Sequence, residues 1–579
     1  GEWTKPALPW ALFSAAVLGV GITMGAMWAY ESLTFGGYWA WDPVENASLV
    51  PWLVLIAGIH TLLIYKHTGH SLRATHLFFI LCFGLILYST FLTRSGILGE
   101  TSVHAFTDLG MNIQLLLFLL IFVLPSLAFF FIRYKEIPTI HKEESGSSRE
   151  FWMFIGSLVF FLSALVIIGK TSLPVVNKLF GTKIAPPEDP EFAYNSIQVY
   201  VAVIIASLTA IGQYLKYKDT SAKYFWKKIW LPTVLSVIGA TLILVFGNID
   251  YIKKGPGFLG AVWLAIACSV YSIIGNAAYI WLGIKGNLKL SGGSISHVGF
   301  GMVLLGILVS SSKKEVLSYN TSGIALNFGE ESKEKTGENL TLVKGLQADM
   351  GKYWVTYETD SAHPKKQLWY YHVRFKSKDG KEEFVLTPNA FVNYKGNEGL
   401  MANPSSKHYW DHDVFTYITS LPNPDKNKDT AQFQNKWMKK GDTSWYSKGF
   451  LVLEEVISKD HIPKPGFQPE DMGTVATIKV HSQTKSTYTA APLLISQQSN
   501  SISLPDTVTS ESLIIRINKV QNDSIEMGIK ESTTIMEYVT LKAYKFPFIN
   551  LLWLGVIITA TGLMVSMVRR IRLNRAGNQ

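Results

Sequence analysis

Two histidines lie inside apolar runs long enough to cross a membrane: His60 in the run 45–66 and His297 in the run 295–311. An imidazole at that depth is costly to bury unless it serves a cofactor, an ion path or a buried partner. His60 comes shortly before Lys66, at the basic end of its run. His297 follows Ser291-Gly292-Gly293-Ser294, at the start of its own. At a rise of about 1.5 Å per residue, the two occupy the same part of the membrane. Matched depth allows two imidazoles on opposite faces of one flat cofactor, as in bis-imidazole ligation of a haem iron. It also allows a hydrogen-bonded packing histidine or a proton relay. The small neighbours Ala57, Gly58, Gly299 and Gly301 predict that a bulky ring can approach both helices closely.

A second constellation sits between two such runs: Gly36-Gly37-Tyr38-Trp39-Ala40-Trp41-Asp42-Pro43-Val44-Glu45-Asn46. Tryptophans at a membrane boundary can be simple anchors. Two acids and a glycine pair beside them point instead to a binding platform. His104 lies in the loop that follows Arg94, where it can face a ligand resting on the Trp-rich segment, and Arg94 can pair with an anionic group on that ligand. A plain loop histidine fits the residues around His104 equally well. His67, His70 and His76 read as interfacial residues. His408, Asp411, His412 and Asp413 are close enough in sequence for a zinc site, although an ordinary patch of a β domain is the stronger reading.

These residues need elements to hold them. The chain has 579 residues and a mean hydropathy of +0.20, too apolar for one soluble domain of this size. Apolar runs at 10–30, 45–66, 73–93, 110–132, 151–170, 198–216, 230–247, 258–284, 295–311 and 547–568 have the length needed to cross about 30 Å of hydrocarbon. The expected fold is a polytopic α-helical membrane protein with about ten transmembrane helices and a β-rich extracytoplasmic domain inserted before the last helix. The expected parts are a membrane domain over 1–311, the β-rich domain over 312–545, and a final helix with a basic tail over 546–579.

Lys66 and Arg73, Arg133 and Lys135, Lys216 to Lys228, Lys285 and Lys289, and Arg569 to Arg575 all fall on one side of this arrangement. That side is therefore cytoplasmic. The Trp-rich loop, His104 and the large insert then lie outside, with Lys253 and Lys254 as a weak counter-signal. The formal net charge of +10 is mostly this sidedness, and no basic patch with interleaved aromatics suggests nucleic-acid binding. The insert reads as strands, for example 367–375 and 475–480, with a hairpin turn at Asp379-Gly380, and its expected shape is a sandwich or open barrel. Loops are expected at 421–432 and 461–470. The two cysteines, Cys82 and Cys268, fall inside predicted spans, so the outer domain has no disulfide to rely on. The absence of CxxCH excludes a covalent c-type cytochrome.

Several of these segments together resemble one known family. Phe35 to Pro51, with Trp41-Asp42-Pro43-Val44-Glu45-Asn46, resembles the tryptophan-rich WWD motif of the CcmF-type cytochrome c haem lyases. Thr93-Arg94-Ser95-Gly96 with Ser102-Val103-His104-Ala105-Phe106 resembles a second signature. Leu55 to His60 and Ser296-His297-Val298-Gly299 resemble the family's two membrane histidines, and Trp553 to Arg570 its last span.

The resemblance implies a haem lyase of cytochrome c biogenesis in the bacterial inner membrane. Its WWD loop and 312–545 domain would lie on the periplasmic side. Gly36, Gly37, Tyr38, Trp39, Trp41, Asp42, Glu45 and Arg94 would contact a transferable haem, and His104 would be its outer axial ligand. His60 and His297 would be the axial ligands of a separate, permanent haem b. Implied partners are an apocytochrome c bearing CxxCH, a haem chaperone of the CcmE type and a thiol-handling subunit of the CcmH type.

Two departures from the family pattern are expected to matter. A second outer histidine precedes the first span in the family, and the sequence opens as Gly1-Glu2-Trp3 with no Met or leader. That ligand is expected from an upstream segment or a separate chain. The outer domain also looks larger than is usual. The competing readings are a CcsA-type cytochrome c synthase, a haem exporter or electron-transfer protein without ligation, and a structural scaffold that binds no haem.

Overall fold

A computed structural model describes residues 3–32, 37–98, 102, 110–140, 145–249, 251, 254–312, 314–324, 328, 334–393, 399–421, 431–459, 472–483, 486–496, 501–532 and 537–576. Its helices are α1 (Thr4–Glu31), α2 (Pro43–Thr68), α3 (Leu72–Arg94), α4 (Asn112–Ile132), α5 (Arg149–Thr171), the short α6 (Leu173–Phe180), α7 (Pro190–Gly212), α8 (Ala222–Phe246), α9 (Pro256–Leu282), α10 (Gly292–Ser312) and α11 (Ile549–Ala576). Among the described residues ten of these, all but α6, are long and apolar enough to cross a membrane. The chain is thus a multi-pass membrane protein with a β-rich domain ahead of the last helix. The expected spans and the observed helices coincide in number and order. Among the larger differences, α7 begins at Pro190 rather than 198, because Asp189 caps it and Pro190 occupies its first turn.

The chain divides into two compact units, one of 1–315, 406–415 and 544–579, the other of 316–405 and 416–543. The segment 406–415, which a linear reading puts inside the insert, groups with the helices. Within that helical unit the Asn550 side-chain amide donates to the Tyr409 carbonyl at 2.6 Å, and Phe548 N–H donates to the Asp411 carbonyl at 2.7 Å.

In the helical unit α2 is the central element. Val50, Leu53, Val54, Ala57 and Leu62 are buried in one cluster with Leu8 and Leu12 of α1, Phe78 and Cys82 of α3, and Phe160 and Ala164 of α5. By contrast α4 buries very few of its apolar side chains, as a helix facing lipid does. Lipid tails are as apolar as leucine, so helices in a membrane hold together by close packing of small residues. The pair α10 and α11 shows this. A Cβ at Gly306 would lie 2.6 Å from Leu552 N, and one at Gly292 would lie 2.8 Å from the Gly562 carbonyl oxygen.

The other unit is built of antiparallel sheets. Strand Tyr353–Ala362 pairs with Trp369–Ser377, Tyr353 opposite Ser377 and Ala362 opposite Trp369, and Tyr353, Val355 and Tyr357 alternate inward. The expected hairpin is present: Gly380 takes φ +71, and Lys376 and Val373 face Glu383 and Leu386. A second core gathers Leu451, Leu453, Ile478, Val480, Ile515, Ile517 and Met527. It lies on strands Gly449–Lys459, Met472–Ser482, Leu513–Gln521 and Ser524–Glu531. The loops expected at 421–432 and 461–470 fall largely outside the described residues.

Candidate functional site

The two membrane histidines meet. The ring centres of His60 on α2 and His297 on α10 are 6.3 Å apart, with planes at 10°. His60 Nδ1 lies 2.8 Å from the carbonyl of Ile56, one turn back on its own helix. An amide carbonyl only accepts, so that nitrogen carries the hydrogen and Nε2 keeps the lone pair. His297 Nδ1 lies 3.0 Å from Nε2 of the Gln213 side-chain amide, just past α7. The backbone carbonyl of His297 accepts from Ser272 at 3.3 Å, and Ser272 and Thr209 hydroxyls are 2.8 Å apart. A polar ladder therefore links α7, α9 and α10 beside the histidine.

The small neighbours do something other than expected. A Cβ at Gly58 would press on the Phe79 ring at 3.2 Å. One at Gly299 would run into Thr559 N, and one at Gly301 would lie 2.9 Å from Ile273 Cγ1. These glycines are filled by neighbouring helices and are not openings for a ring. The correction has a simple physical reason: in a membrane, close helix contact is the stabilising interaction that small residues permit.

The Trp-rich loop is a built structure. Asp42 accepts from Val44 N–H at 2.8 Å, while the Glu45 carboxylate accepts from Ala40 N–H at 3.0 Å and Asp42 N–H at 3.1 Å. This reciprocal cap opens α2, with Pro43 in its first turn. The Ser102 hydroxyl donates to Asp42 at 2.7 Å, so the cap also ties down the segment after α3. Trp41 has φ +55, a conformation that costs a non-glycine residue about 1–3 kcal/mol. Three contacts hold it there. The Asn46 amide donates to its carbonyl at 3.0 Å, its indole N–H donates to Asn195 Oδ1 at 2.9 Å, and its ring stacks on Tyr194 at 4.8 Å and 9°. Trp39 stands edge-on to Trp41 at 5.8 Å and 88°, half-buried.

Gly37 lies in a bend before Tyr38. Tyr38 is buried, with its hydroxyl 2.9 Å from that of Ser310 and 3.1 Å from that of Ser311. Burial pushes its phenol above the usual range. Arg94 is exposed at the end of α3. Gly36 and His104 lie outside the described residues. Asn195, Tyr194 and Gln213 were missed from sequence. The Asp189-Pro190-Glu191 start signal could have shown that α7 begins early enough to bring Tyr194 and Asn195 into its first turns.

The segment 407–413 uses its histidines differently from a metal site. His408 Nδ1 is 2.8 Å from the buried Asp413 carboxylate, which also accepts from Tyr30 at 3.0 Å; His412 Nδ1 is 3.0 Å from Asp411. Burial holds the Asp413 carboxyl above its usual range. Among the described residues no group of three or more His, Cys, Asp or Glu side chains is placed to hold a metal ion.

Comparison with known proteins finds relatives of this chain. A family model described as cytochrome C assembly protein matches residues 2–98, which include the Trp-rich loop, His60 and Arg94. A cytochrome c-type biogenesis protein CcmF of Pseudomonas fluorescens is 32% identical over 389 residues, 63% of this chain and 56% of the relative. The CcmF protein of Escherichia coli is 30% identical over 308 residues, 52% of this chain and 46% of the relative. A solved structure of the cytochrome c haem lyase CcmF superposes with a TM-score of 0.52 at 17% identity, covering 97% of this chain and 66% of that one. Over these stretches the chain is similar to the CcmF-type cytochrome c biogenesis proteins. The aligned part spans about half the length of these CcmF-type relatives. A shorter and closer stretch matches the cytochrome c-type biogenesis protein NrfE of Haemophilus influenzae, 48% identical over 120 residues, 21% of this chain and 18% of that protein.

Proposed function

We propose that this chain is a haem lyase, or an essential subunit of one, in cytochrome c maturation. It would hold haem as substrate at its outer face and promote joining of the haem vinyl groups to the two CxxCH thiols of an apocytochrome c. Its setting would be the bacterial inner membrane, with the β-rich domain in the periplasm. A CcmE-type chaperone delivering haem and a CcmH-type subunit presenting thiols would be its partners. The family likeness supports each of these steps.

The observation that carries the site is the histidine pair. A metal–nitrogen length of about 2.0 Å on each side, plus each ring's own half-width, spans roughly 6 Å between ring centres. The pair is 6.3 Å apart and nearly parallel, and His60 already has its lone pair on Nε2. The residues present fit a permanent haem b held by His60 and His297. Bound there, haem would supply one-electron reduction. The chain's own part is to fix both imidazoles before binding and to exclude water from the space between them.

At the outer face, Trp39 and Trp41 offer indole surfaces for a flat substrate. Asp42 and Glu45 act by holding the loop on the N-terminus of α2. Arg94 and His104 would complete that site as anion partner and axial ligand. Coupled addition of a thiol and a vinyl group needs fixed geometry more than it needs a strong acid or base, and a rigid capped loop supplies it.

Expression with an apocytochrome c and the CcmE- and CcmH-type partners tests the proposal. The expected result is covalent haem on the apocytochrome, lost in His104→Ala. Attachment that persists in both His104→Ala and Trp41→Ala would overturn the outer-site assignment.

A further inference from the structure

We infer that Gln213 is a positioning residue for the inner haem: it selects which nitrogen of His297 carries the hydrogen and thereby sets how strongly that imidazole donates to iron. This rests on the bis-histidine reading above.

The two imidazoles are held in different ways. His60 faces a carbonyl of its own helix, 2.8 Å away, and has one possible tautomer there. His297 Nδ1 faces a primary amide whose Nε2 is placed 3.0 Å away, and exchanging the O and N ends of an amide presents an acceptor in place of a donor within the same volume. With the NH2 group toward it, Nδ1 accepts, the hydrogen moves to Nε2, and His297 cannot ligate. With Oε1 toward it, Nδ1–H donates and the Nε2 lone pair is available. Iron at Nε2 therefore requires Gln213 to turn its oxygen to the ring.

The support behind Gln213 is also specific. The residue caps the C-terminal end of α7 with φ −65 and ψ −27. Arg149 Nε donates to the Gly212 carbonyl at 2.9 Å, and its terminal nitrogen donates to the Gln213 carbonyl. Arg149 N–H donates to the Lys216 carbonyl at 2.8 Å, and its guanidinium lies 5.3 Å from the Tyr217 ring centre. A cation on the last carbonyls of a helix is favourable for that end. Arg149 thus anchors the backbone from which the amide reaches His297. Partners that accept from a ligating imidazole raise its basicity and tune the metal.

The test is a redox titration of the haem b absorbance in the full chain, with low-temperature EPR of the ferric form, for the parent, Gln213→Glu and Gln213→Leu. Glutamate is a pure acceptor of nearly the same shape. Gln213→Glu is expected to keep haem b and shift its midpoint potential downward. Gln213→Leu is expected to shift it upward and add a high-spin ferric signal, or to lose haem. Equal potentials and equal low-spin signals in all three would overturn the inference while leaving the histidine pair standing. Loss of haem from the glutamate variant as well would also overturn it, because that variant retains the acceptor. Absence of haem b from the parent, or its survival in His297→Ala, would instead overturn the bis-histidine reading.

Discussion

The inner histidine pair and the outer Trp-rich loop use polar groups in opposite ways. At the pair, hydrogen bonds at Nδ1 of each ring orient the imidazoles. At the loop, the acids are engaged by backbone and hydroxyl donors of the protein itself. At the pair the polar contacts orient two rings; at the loop the acids shape the turn, and the Trp41 indole packs on Tyr194.

Substitutions separate the two regions. The largest effect is expected from His297→Ala: complete loss of the b-type absorbance with helix content unchanged by circular dichroism. Next is Gly299→Leu, whose side chain would enter the α11 backbone. Overpacking typically costs about 1–3 kcal/mol, and a backbone collision stands at the upper end. Reduced yield of folded protein in detergent, with both haem functions falling together, would identify this as a packing defect. Trp41→Ala should weaken capture of the transferable haem and spare haem b. It removes a stacked pair with Tyr194 of the kind that contributes about 0.5–1.5 kcal/mol, so equal loss of both haems would mean that the regions are not independent. Asp42→Ala should cost about 1 kcal/mol through the lost cap, read as a lower melting temperature with the inner spectrum intact.

The smallest effect is a pH effect. Asp189, the cap of α7, is held below the usual carboxylate range by its hydrogen bond from Lys254. A lowered folded pKa gives stability that is present above the unfolded value, about 4, and is lost as pH falls through the folded value. The pair is about half exposed, so the loss is small. Capture at the outer loop should weaken slightly below about pH 4 in the parent, and this step should shrink in Lys254→Ala, which leaves the Phe192 N–H on Asp189.

Much of this was legible in the sequence. Apolar runs and basic loops are chemical signals that survive without tertiary information, and they yielded the helices in order. Matched depth brought His60 and His297 together because both positions are counted from a membrane surface. What could not be read is what depends on helix rotation. Gly58, Gly299 and Gly301 turn toward Phe79, α11 and α9, and spacing alone does not say which face of a helix meets which neighbour. Gln213 and Asn195 were hidden for the same reason: each is an ordinary polar residue near a helix end until a partner from another helix is beside it. The return of 406–415 to the helical unit rests on contacts with α1 and α11, such as Tyr30 to Asp413, that join positions far apart in the chain.

The central claim is that His60 and His297 form one preorganised ligand pair. The reduced-minus-oxidised spectrum and pyridine haemochrome of the purified chain, recorded beside His60→Ala and His297→Ala, test it directly. The account predicts a b-type signal in the parent that disappears in both variants. A b-type signal that survives in either variant, or a well-folded parent that takes up no haem, would contradict it.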